Sequence, residues 1–117
     1  MAKQKIEVIK SISKKEFYQG ILKPNDIEVE EGKIYLYLMI NENTNLFKIG
    51  YSKNPYFREK TLQSEEPKIF TIKFWECEKK VETEIHKLFK NKRIRGEWFK
   101  LNIDDLVKLN NRMKIYD

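Results

Sequence analysis

The sequence predicts an α+β domain in which a central three-stranded antiparallel sheet lies between helices. Two apolar, β-rich segments, 33–40 and 46–51, are separated by a short polar segment, which predicts a β-hairpin. A third β-rich segment, 68–77, is partly apolar on both faces, which predicts a central or covered strand. Helical patterns follow the hairpin and the third strand, and their apolar stripes need a sheet to pack against.

The composition is that of a small folded domain inside the cell. The 117 residues suffice for one modest domain, and the 13% that are aromatic can form a core despite the 36% that are charged. Cys77 has no partner for an internal disulfide, which favours a reducing compartment. Because the chain has no apolar run of membrane-spanning length and no signal-peptide pattern, we expect a soluble, cytoplasmic protein without a membrane partner.

The first 32 residues differ from the rest in charge and pattern. We interpret them as an N-terminal extension, a short helix and a linker, and residues 33–117 as the domain. Ser13 and Glu16 have the spacing of a capping box, which predicts a helix through Tyr18. Gly20 to Pro24 is expected to end that helix, and an acidic linker follows.

The helix after the hairpin begins at Asn54-Pro55, an N-cap residue followed by a favoured first helical residue, and extends to about Gln63. Its expected inward residues are Phe57, Thr61 and Leu62.

Two further helices follow the third strand. The first spans 79–89, and its apolar stripe is Val81, Ile85, Leu88 and Phe89. A tight basic turn then leads to a last helix, which Asn102 caps. The apolar face of this last helix is expected to be Ile103, Leu106, Val107 and Leu109.

The basic surplus predicts a polyanionic partner. Residues 1–32 carry six basic and six acidic side chains, so the whole net charge of +6 lies in 33–117. Five of the nine residues from Lys87 to Arg95 are basic, and such a cluster attracts DNA with an affinity that falls steeply as salt rises. The alternative is an ordinary solvated, lysine-rich face. The expected DNA contacts are Lys90, Lys92, Arg93 and Arg95.

Four ordered blocks carry a family resemblance. Tyr35-Leu36-Tyr37 lies in the first strand, Lys48-Ile49-Gly50 in the second and Arg58 in the next helix, and the segments VETEIHKLF and RIRGEWF follow. Together they resemble the GIY-YIG nuclease superfamily, and more closely its short phage and bacterial branch, in which a KIG triplet replaces YIG. Phage orf-type DNA-binding and meiotically up-regulated-gene-like domains are similar to this branch. The resemblance covers residues 33 to about 109.

The resemblance implies catalytic roles for residues of the hairpin and the following helix. Tyr37 would act as general base or orient the attacking water, and Tyr35, two residues earlier on the same face, is the second candidate base or a supporting aromatic. Lys48 and Arg58 would contact the phosphate and lower the pKa of Tyr37. The structural alternatives are a packed Tyr37, an exposed Lys48 and an Arg58 paired with a neighbouring glutamate.

The resemblance also implies a metal site on the second helix of the domain. Glu82 matches the single metal ligand of the family, for Mg²⁺ or Mn²⁺. His86 lies four residues later on the same helical face, where it could orient the carboxylate, contact phosphate, act as an auxiliary acid or base, or simply be a surface residue. Glu84 faces away from Glu82. One histidine and one cysteine cannot assemble a typical zinc site.

Three further residues are expected to support the site structurally. Gly50 would allow a close approach that a side chain would block. Trp98 and Phe99 would close the domain near the sheet as core residues, with base stacking as the alternative. Arg95-Gly96-Glu97 stands where many members of the superfamily have a bracing asparagine.

These observations predict a domain that binds DNA and hydrolyses phosphodiesters with one divalent cation. The alternatives are a non-catalytic DNA-binding module, such as a phage or mobile-element regulatory protein, and a protein-interaction domain. A bare domain of this size would take its specificity from a protein partner or from a homodimer.

Overall fold

The structure, a computed structural model, describes residues 12–117. The helices are α1 Lys14–Leu22, α2 Pro55–Gln63, α3 Lys80–Leu88 and α4 Ile103–Arg112. The strands are β1 Tyr35–Asn41, β2 Leu46–Ser52, β3 Ile69–Glu76, β4 Arg93–Arg95 and β5 Trp98–Phe99. Short 3₁₀ turns lie at Lys90–Lys92 and Lys114–Tyr116.

The predicted α+β class is confirmed, and the sheet is larger than expected. It has five antiparallel strands in the order β3-β1-β2-β5-β4 rather than three. Strand β4 comes from the segment predicted as a basic turn, and β5 is formed by Trp98 and Phe99, which were predicted to close the domain near the sheet. Gly96 has a φ of +53°, so the chain can reverse there and β4 can pair with β5. Such short strands carry too little alternation to be recognised from sequence.

Both faces of the sheet are covered, which explains why all seven residues of β1 are buried. Leu36, Leu38 and Ile40 point to the main core, which α1, α3 and α4 complete. Tyr35 and Tyr37 point to the opposite face, where a smaller cluster includes Leu62 of α2. The predicted common face of the two tyrosines is therefore confirmed.

The inward face of α2 is only partly the predicted one, since Leu62 packs inward as predicted but two other residues do not. Phe57 is 68% exposed and Thr61 is exposed as well, whereas Pro55 is buried. The helix turns Arg58 and Glu59 partly inward instead. Polar side chains of α2 have partners on the sheet, and these contacts orient the helix against its hydrophobic pattern.

Strand β3 lies at the edge of the sheet, and side chains cover its free backbone groups. Glu59 accepts a hydrogen bond from the Thr71 N–H at 2.6 Å, and Gln63 donates one to the Ile69 carbonyl at 2.8 Å. The strand is therefore not central, but both of its faces are covered, as the alternative prediction had it.

Helix α1 extends beyond its predicted end and is integrated into the domain. Ser13 caps it by accepting the Glu16 N–H at 3.2 Å. The helix continues through Gly20 to the fully buried Leu22 and ends where Lys23 adopts a φ of +50°. The part of the predicted extension before residue 12 lies outside the described residues.

Helices α3 and α4 bury narrower stripes than their patterns predict. Asn102 caps α4 as predicted, in a capping box with Asp105. Leu88 of α3 is exposed, and Val81 and Ile85 form the buried side of that helix. Ile103 and Val107 of α4 are exposed because Leu106, Leu109 and Met113 make up the buried side of α4 and its end. Within residues 12–117, no helix has both the length and the apolar character needed to cross a membrane.

A buried lysine ties the helices to the sheet. Lys73 of β3 is only 2% exposed, and its Nζ lies 3.0 Å from each of three oxygens: the Leu22 carbonyl, Asn110 Oδ1 and Asp117 Oδ1. Asp117 Oδ1 also accepts the Trp75 Nε1–H at 2.9 Å. One carboxylate thus satisfies two buried donors of β3.

Asp117→Ala should lower the free energy of unfolding by about 2 kcal/mol, because Lys73 loses its only anionic partner among the described residues and the Trp75 N–H loses its acceptor. Urea denaturation measures this. Asp104→Ala, at an exposed carboxylate of α4, is the control and should cost less than half as much. Equal losses in the two variants would contradict the structural role of Asp117.

Candidate active site

The candidate site lies at the edge of β2, at the point where its pairing with β5 ends. Strand β5 pairs with β2 only at Phe47 and Lys48. At the next residue, the Ile49 N–H donates to the Glu97 carbonyl at 3.0 Å, and the Ile49 carbonyl accepts the His86 Nε2–H at 2.8 Å. Helix α3 therefore docks against the edge of β2 where β5 ends, and both elements bring side chains to the same place.

Gly50 is the closest point of the site. It lies directly opposite Tyr37 in the β1–β2 register. A Cβ atom at position 50 would lie 2.5 Å from Tyr37 Oη and 2.8 Å from Glu97 Oε2. The predicted close approach at Gly50 is therefore made by a phenol and a carboxylate, whose oxygens flank the same small space.

The Tyr37 hydroxyl is in an environment that keeps its proton. The residue is 1% exposed, and burial together with the negative charge of Glu97 raises the pKa of Tyr37 to about 12, although the facing Arg58 guanidinium opposes this. Arg58 lowers the pKa of Tyr37 as predicted, but burial and the charge of Glu97 outweigh it, so the net shift is upward. At neutral pH Tyr37 is a neutral phenol, which favours the orienting role over that of general base.

Lys48 is buried and paired rather than an exposed strand lysine. It is 8% exposed, and its Nζ lies 3.1 Å from Glu97 Oε2 and 5.2 Å from the centroid of the Trp98 ring. Sequence reasoning assigned no role to Glu97. The available signal was its position, since it stands in the segment that matches the bracing asparagine of the resembled superfamily.

Arg58 faces the site from α2. It is half-buried on the inward side of the helix, and its guanidinium faces the Tyr37 hydroxyl. Within residues 12–117 it forms no ion pair with Glu59 or Glu65, and Glu59 is instead engaged by the backbone of Thr71. The guanidinium therefore remains available for an anion.

Helix α3 brings Glu82 and His86 to the site on one face. Burial, followed by the charge of Glu97, raises the pKa of Glu82, while His86 opposes this shift. Glu82 Oε2 is buried without a hydrogen-bond partner among the described residues. The His86 ring packs edge-on against Phe99 with centroids 5.0 Å apart, and Nε2–H is committed to a backbone carbonyl. Nδ1 is thus the nitrogen left for other contacts.

The donor set at Glu82 fits a magnesium-type ion. No cluster of three or more His, Cys, Asp or Glu residues that could hold a metal exists within 12–117. An unpartnered carboxylate oxygen remains at Glu82. Mg²⁺ binds through one or two carboxylates and keeps several waters, so a single protein ligand suits it better than it suits zinc.

Tyr35 does not join the site. Its hydroxyl accepts the Glu30 N–H at 2.8 Å and donates to the Glu28 carbonyl at 3.3 Å. These contacts fasten the segment before β1 to the sheet. The second candidate for the base is therefore occupied by a structural role.

Some of the predicted DNA-contact residues lie beside the candidate site, and others lie on different parts of the surface. A groove of about 370 Å³ beside the site is lined by Glu82, Thr83, His86, Lys87, Lys90 and Arg93. Lys92 lies elsewhere and pairs with Asp105 at 3.3 Å, and Arg95 lines a different groove with Trp98. Arg93 Nε also donates to the Gly96 carbonyl at 2.6 Å. Only part of the predicted set therefore borders the candidate site.

Fold and site together define a class: small α+β domains that carry a tyrosine, two cations and a glutamate-bearing helix at the open edge of a hairpin strand. The chain belongs to the T5orf172 domain family, whose match spans residues 32–114.

The chain is similar to a KilA-N domain-containing protein, 315L, of Invertebrate iridescent virus 6. The two are 42% identical over 65 residues, which cover 50% of this chain and 28% of the viral protein. The chain thus corresponds to little more than a quarter of that relative's length. No solved structure matches the chain.

The raised pKa of Tyr37 predicts a loss of stability at high pH. An unfolded tyrosine titrates near pH 10, so between pH 10 and about 12 only the unfolded chain loses this proton. The free energy of unfolding should fall by roughly 2–3 kcal/mol across this window because of Tyr37. Urea denaturation at several pH values measures the fall.

Tyr37→Phe should remove that part of the pH dependence, whereas Tyr56→Phe, at an exposed tyrosine, should retain it. If both variants kept the wild-type slope above pH 10, the environment described for Tyr37 would be wrong.

Proposed function

We propose that this T5orf172 domain is a GIY-YIG-type DNA nuclease that hydrolyses phosphodiester bonds with one divalent cation, Mg²⁺ or Mn²⁺. One observation carries the proposal. Chain segments far apart in sequence bring Tyr37, Lys48, Arg58, Glu82 and His86 to the open edge of β2. Among residues 12–117, Arg58 is half-buried without an ion pair and Glu82 Oε2 is buried without a partner, which a purely structural assembly would not need.

The positive charges of Arg58 and Lys48 suit the transition state of phosphodiester hydrolysis. Arg58 presents a planar guanidinium that can hold two phosphate oxygens, and Lys48 supplies a second positive charge close by. Both would stabilise the negative charge that develops on the phosphorus oxygens and on the leaving oxygen. Partial burial strengthens these interactions relative to water.

Tyr37 and Glu82 complete the arrangement. The neutral Tyr37 hydroxyl can donate and accept hydrogen bonds, so it can orient an attacking water beside Gly50. Glu82 would hold the divalent cation, which supplies charge neutralisation when bound. His86 lies next to Glu82 and would contact the phosphate, or a water bound to it, through Nδ1.

DNA as the partner is supported by the basic groove. Lys87, Lys90 and Arg93 line the surface that begins at Glu82, so phosphates next to the scissile one would lie along α3. The similarity to a viral protein fits a phage or mobile-element origin. A domain this small would take its target from a partner, a homodimer or an additional domain.

A non-catalytic DNA-binding module is the second candidate. The observation that favours it is the Lys48–Glu97 ion pair, which occupies one of the two cations. The basic groove would serve both functions equally, so cleavage is the property that separates them.

Purified protein should cleave DNA in the presence of Mg²⁺ or Mn²⁺ and not in EDTA. Arg58→Ala and Glu82→Gln should each lower the rate by about 100-fold or more, because each removes charge stabilisation of the transition state. Gel assays with plasmid, duplex and single-stranded DNA measure this.

The matched control for Glu82 is Glu84→Gln, since Glu84 lies on the same helix and faces Arg112 at 3.5 Å. It should cleave at the wild-type rate. DNA that is bound but uncut with every metal would support the non-catalytic module instead.

Binding should depend on salt through the groove. Removing Lys87 or Lys90 should reduce the slope of log affinity against log salt by about 0.7–0.9 each, one phosphate contact per lysine. Fluorescence anisotropy in EDTA measures binding without cleavage. Lys108→Ala, at an exposed lysine of α4, is the control. Equal slopes in all variants would exclude the groove as the DNA surface.

A further inference from the structure

We propose that Glu97 is a catalytic residue whose carboxylate accepts the proton of the attacking water. The inference rests on the proposed nuclease function and adds to it the residue that acts as base. It stands on the position of the carboxylate between Gly50, Tyr37 and Lys48.

The carboxylate is placed where a nucleophilic water would be oriented. Glu97 Oε2 and Tyr37 Oη both occupy the space that a side chain at position 50 would need, so the two oxygens are close neighbours. The Glu97 side chain is 34% exposed, so water and DNA can reach it. A water bound on the solvent side of these two oxygens could therefore be oriented by the phenol and deprotonated by the carboxylate.

The other candidates for the base are less suitable. Tyr37 is a neutral phenol with a pKa of about 12. Tyr35 is committed to the segment before β1. His86 is held by a backbone carbonyl through Nε2, and Glu82 has its buried oxygen available for a cation. The Glu97 carboxylate is the remaining solvent-accessible group beside the Tyr37 hydroxyl that can accept a proton from water.

One backbone hydrogen bond and one turn hold Glu97 in this position. The Ile49 N–H donates to the Glu97 carbonyl, which anchors the residue to the edge of β2. Gly96, with its φ of +53°, begins the turn into β5. Glu97 lies in the turn between β4 and β5, and the bond to Ile49 ties this turn to β2, which holds the carboxylate in place for proton transfer.

The step balances without further reactants. The water oxygen forms a bond to phosphorus while one of its protons passes to the Glu97 carboxylate. The P–O bond to the leaving oxygen breaks, and its electron pair remains on that oxygen, which takes a proton from solvent. Lys48 neutralises Glu97 in the absence of DNA and can move its ammonium to a phosphate oxygen, which would leave the carboxylate free to accept the proton.

Single-turnover cleavage by wild type, Glu97→Gln, Lys48→Met and the double variant tests the proposal. Glu97→Gln keeps the size of the side chain and should lower the rate by about 100-fold or more with nearly unchanged DNA affinity. If Glu97 only positioned Lys48, adding Glu97→Gln to Lys48→Met would cost nothing more. We expect a further loss of at least about 50-fold in the double variant.

Chemical rescue provides the second measurement. In Glu97→Ala, added formate or acetate should restore cleavage, and acetate, the stronger base, should restore more at equal concentration. Thermal melting checks that each variant folds, and Glu84→Gln is the carboxylate control. A Glu97→Gln rate within tenfold of wild type, or a double variant equal to Lys48→Met, would overturn the assignment of the base.

A different result would overturn the underlying function. If the wild-type protein cut none of the DNA substrates with Mg²⁺ or Mn²⁺, the nuclease proposal would fail and the role of Glu97 as base would fail with it. Cleavage by wild type that persists in Glu97→Gln would remove only the inference about Glu97.

Discussion

The register between β1 and β2 is the constraint on which the site depends. It places Tyr37 opposite Gly50, and the missing side chain at position 50 leaves space for the Tyr37 hydroxyl and the Glu97 carboxylate. A shift of one residue would send Tyr37 to the other face of the sheet and oppose it to a bulky neighbour. Burial of β1 on both faces holds this register, so the hydrophobic core and the candidate chemistry are stabilised by the same strand pairing.

Acidic groups are concentrated at the site, and their mutual repulsion lowers the stability of the fold. An ion pair within the site offsets part of this loss. Glu97 raises the pKa of both Tyr37 and Glu82, which means that its negative charge disfavours theirs. The Lys48 ammonium, 3.1 Å from Glu97, offsets part of this repulsion. An incoming phosphate and cation would offset more. Such unfavourable clusters are typical of functional sites, where binding relieves what folding alone does not.

Local signals predicted the secondary structure well and the orientation of helices less well. The caps Ser13, Asn54 and Asn102 accept the expected backbone N–H groups, because capping involves only neighbouring residues. The inward face of α2 was mispredicted at Phe57, because Arg58 turns toward the sheet and its partner there is distant in sequence. An apolar pattern cannot reveal such a partner.

The sequence by itself determined the order of the four helices and the first three strands, the excess of positive charge in residues 33–117 and the types of residue available for phosphate chemistry. These follow from local periodicity and composition. Only the tertiary structure decided that the sheet gains β4 and β5, that Lys48 is paired and that Glu97 shares the space above Gly50 with Tyr37. These properties depend on strand pairing and burial between distant segments, and burial in particular decides which group keeps its proton.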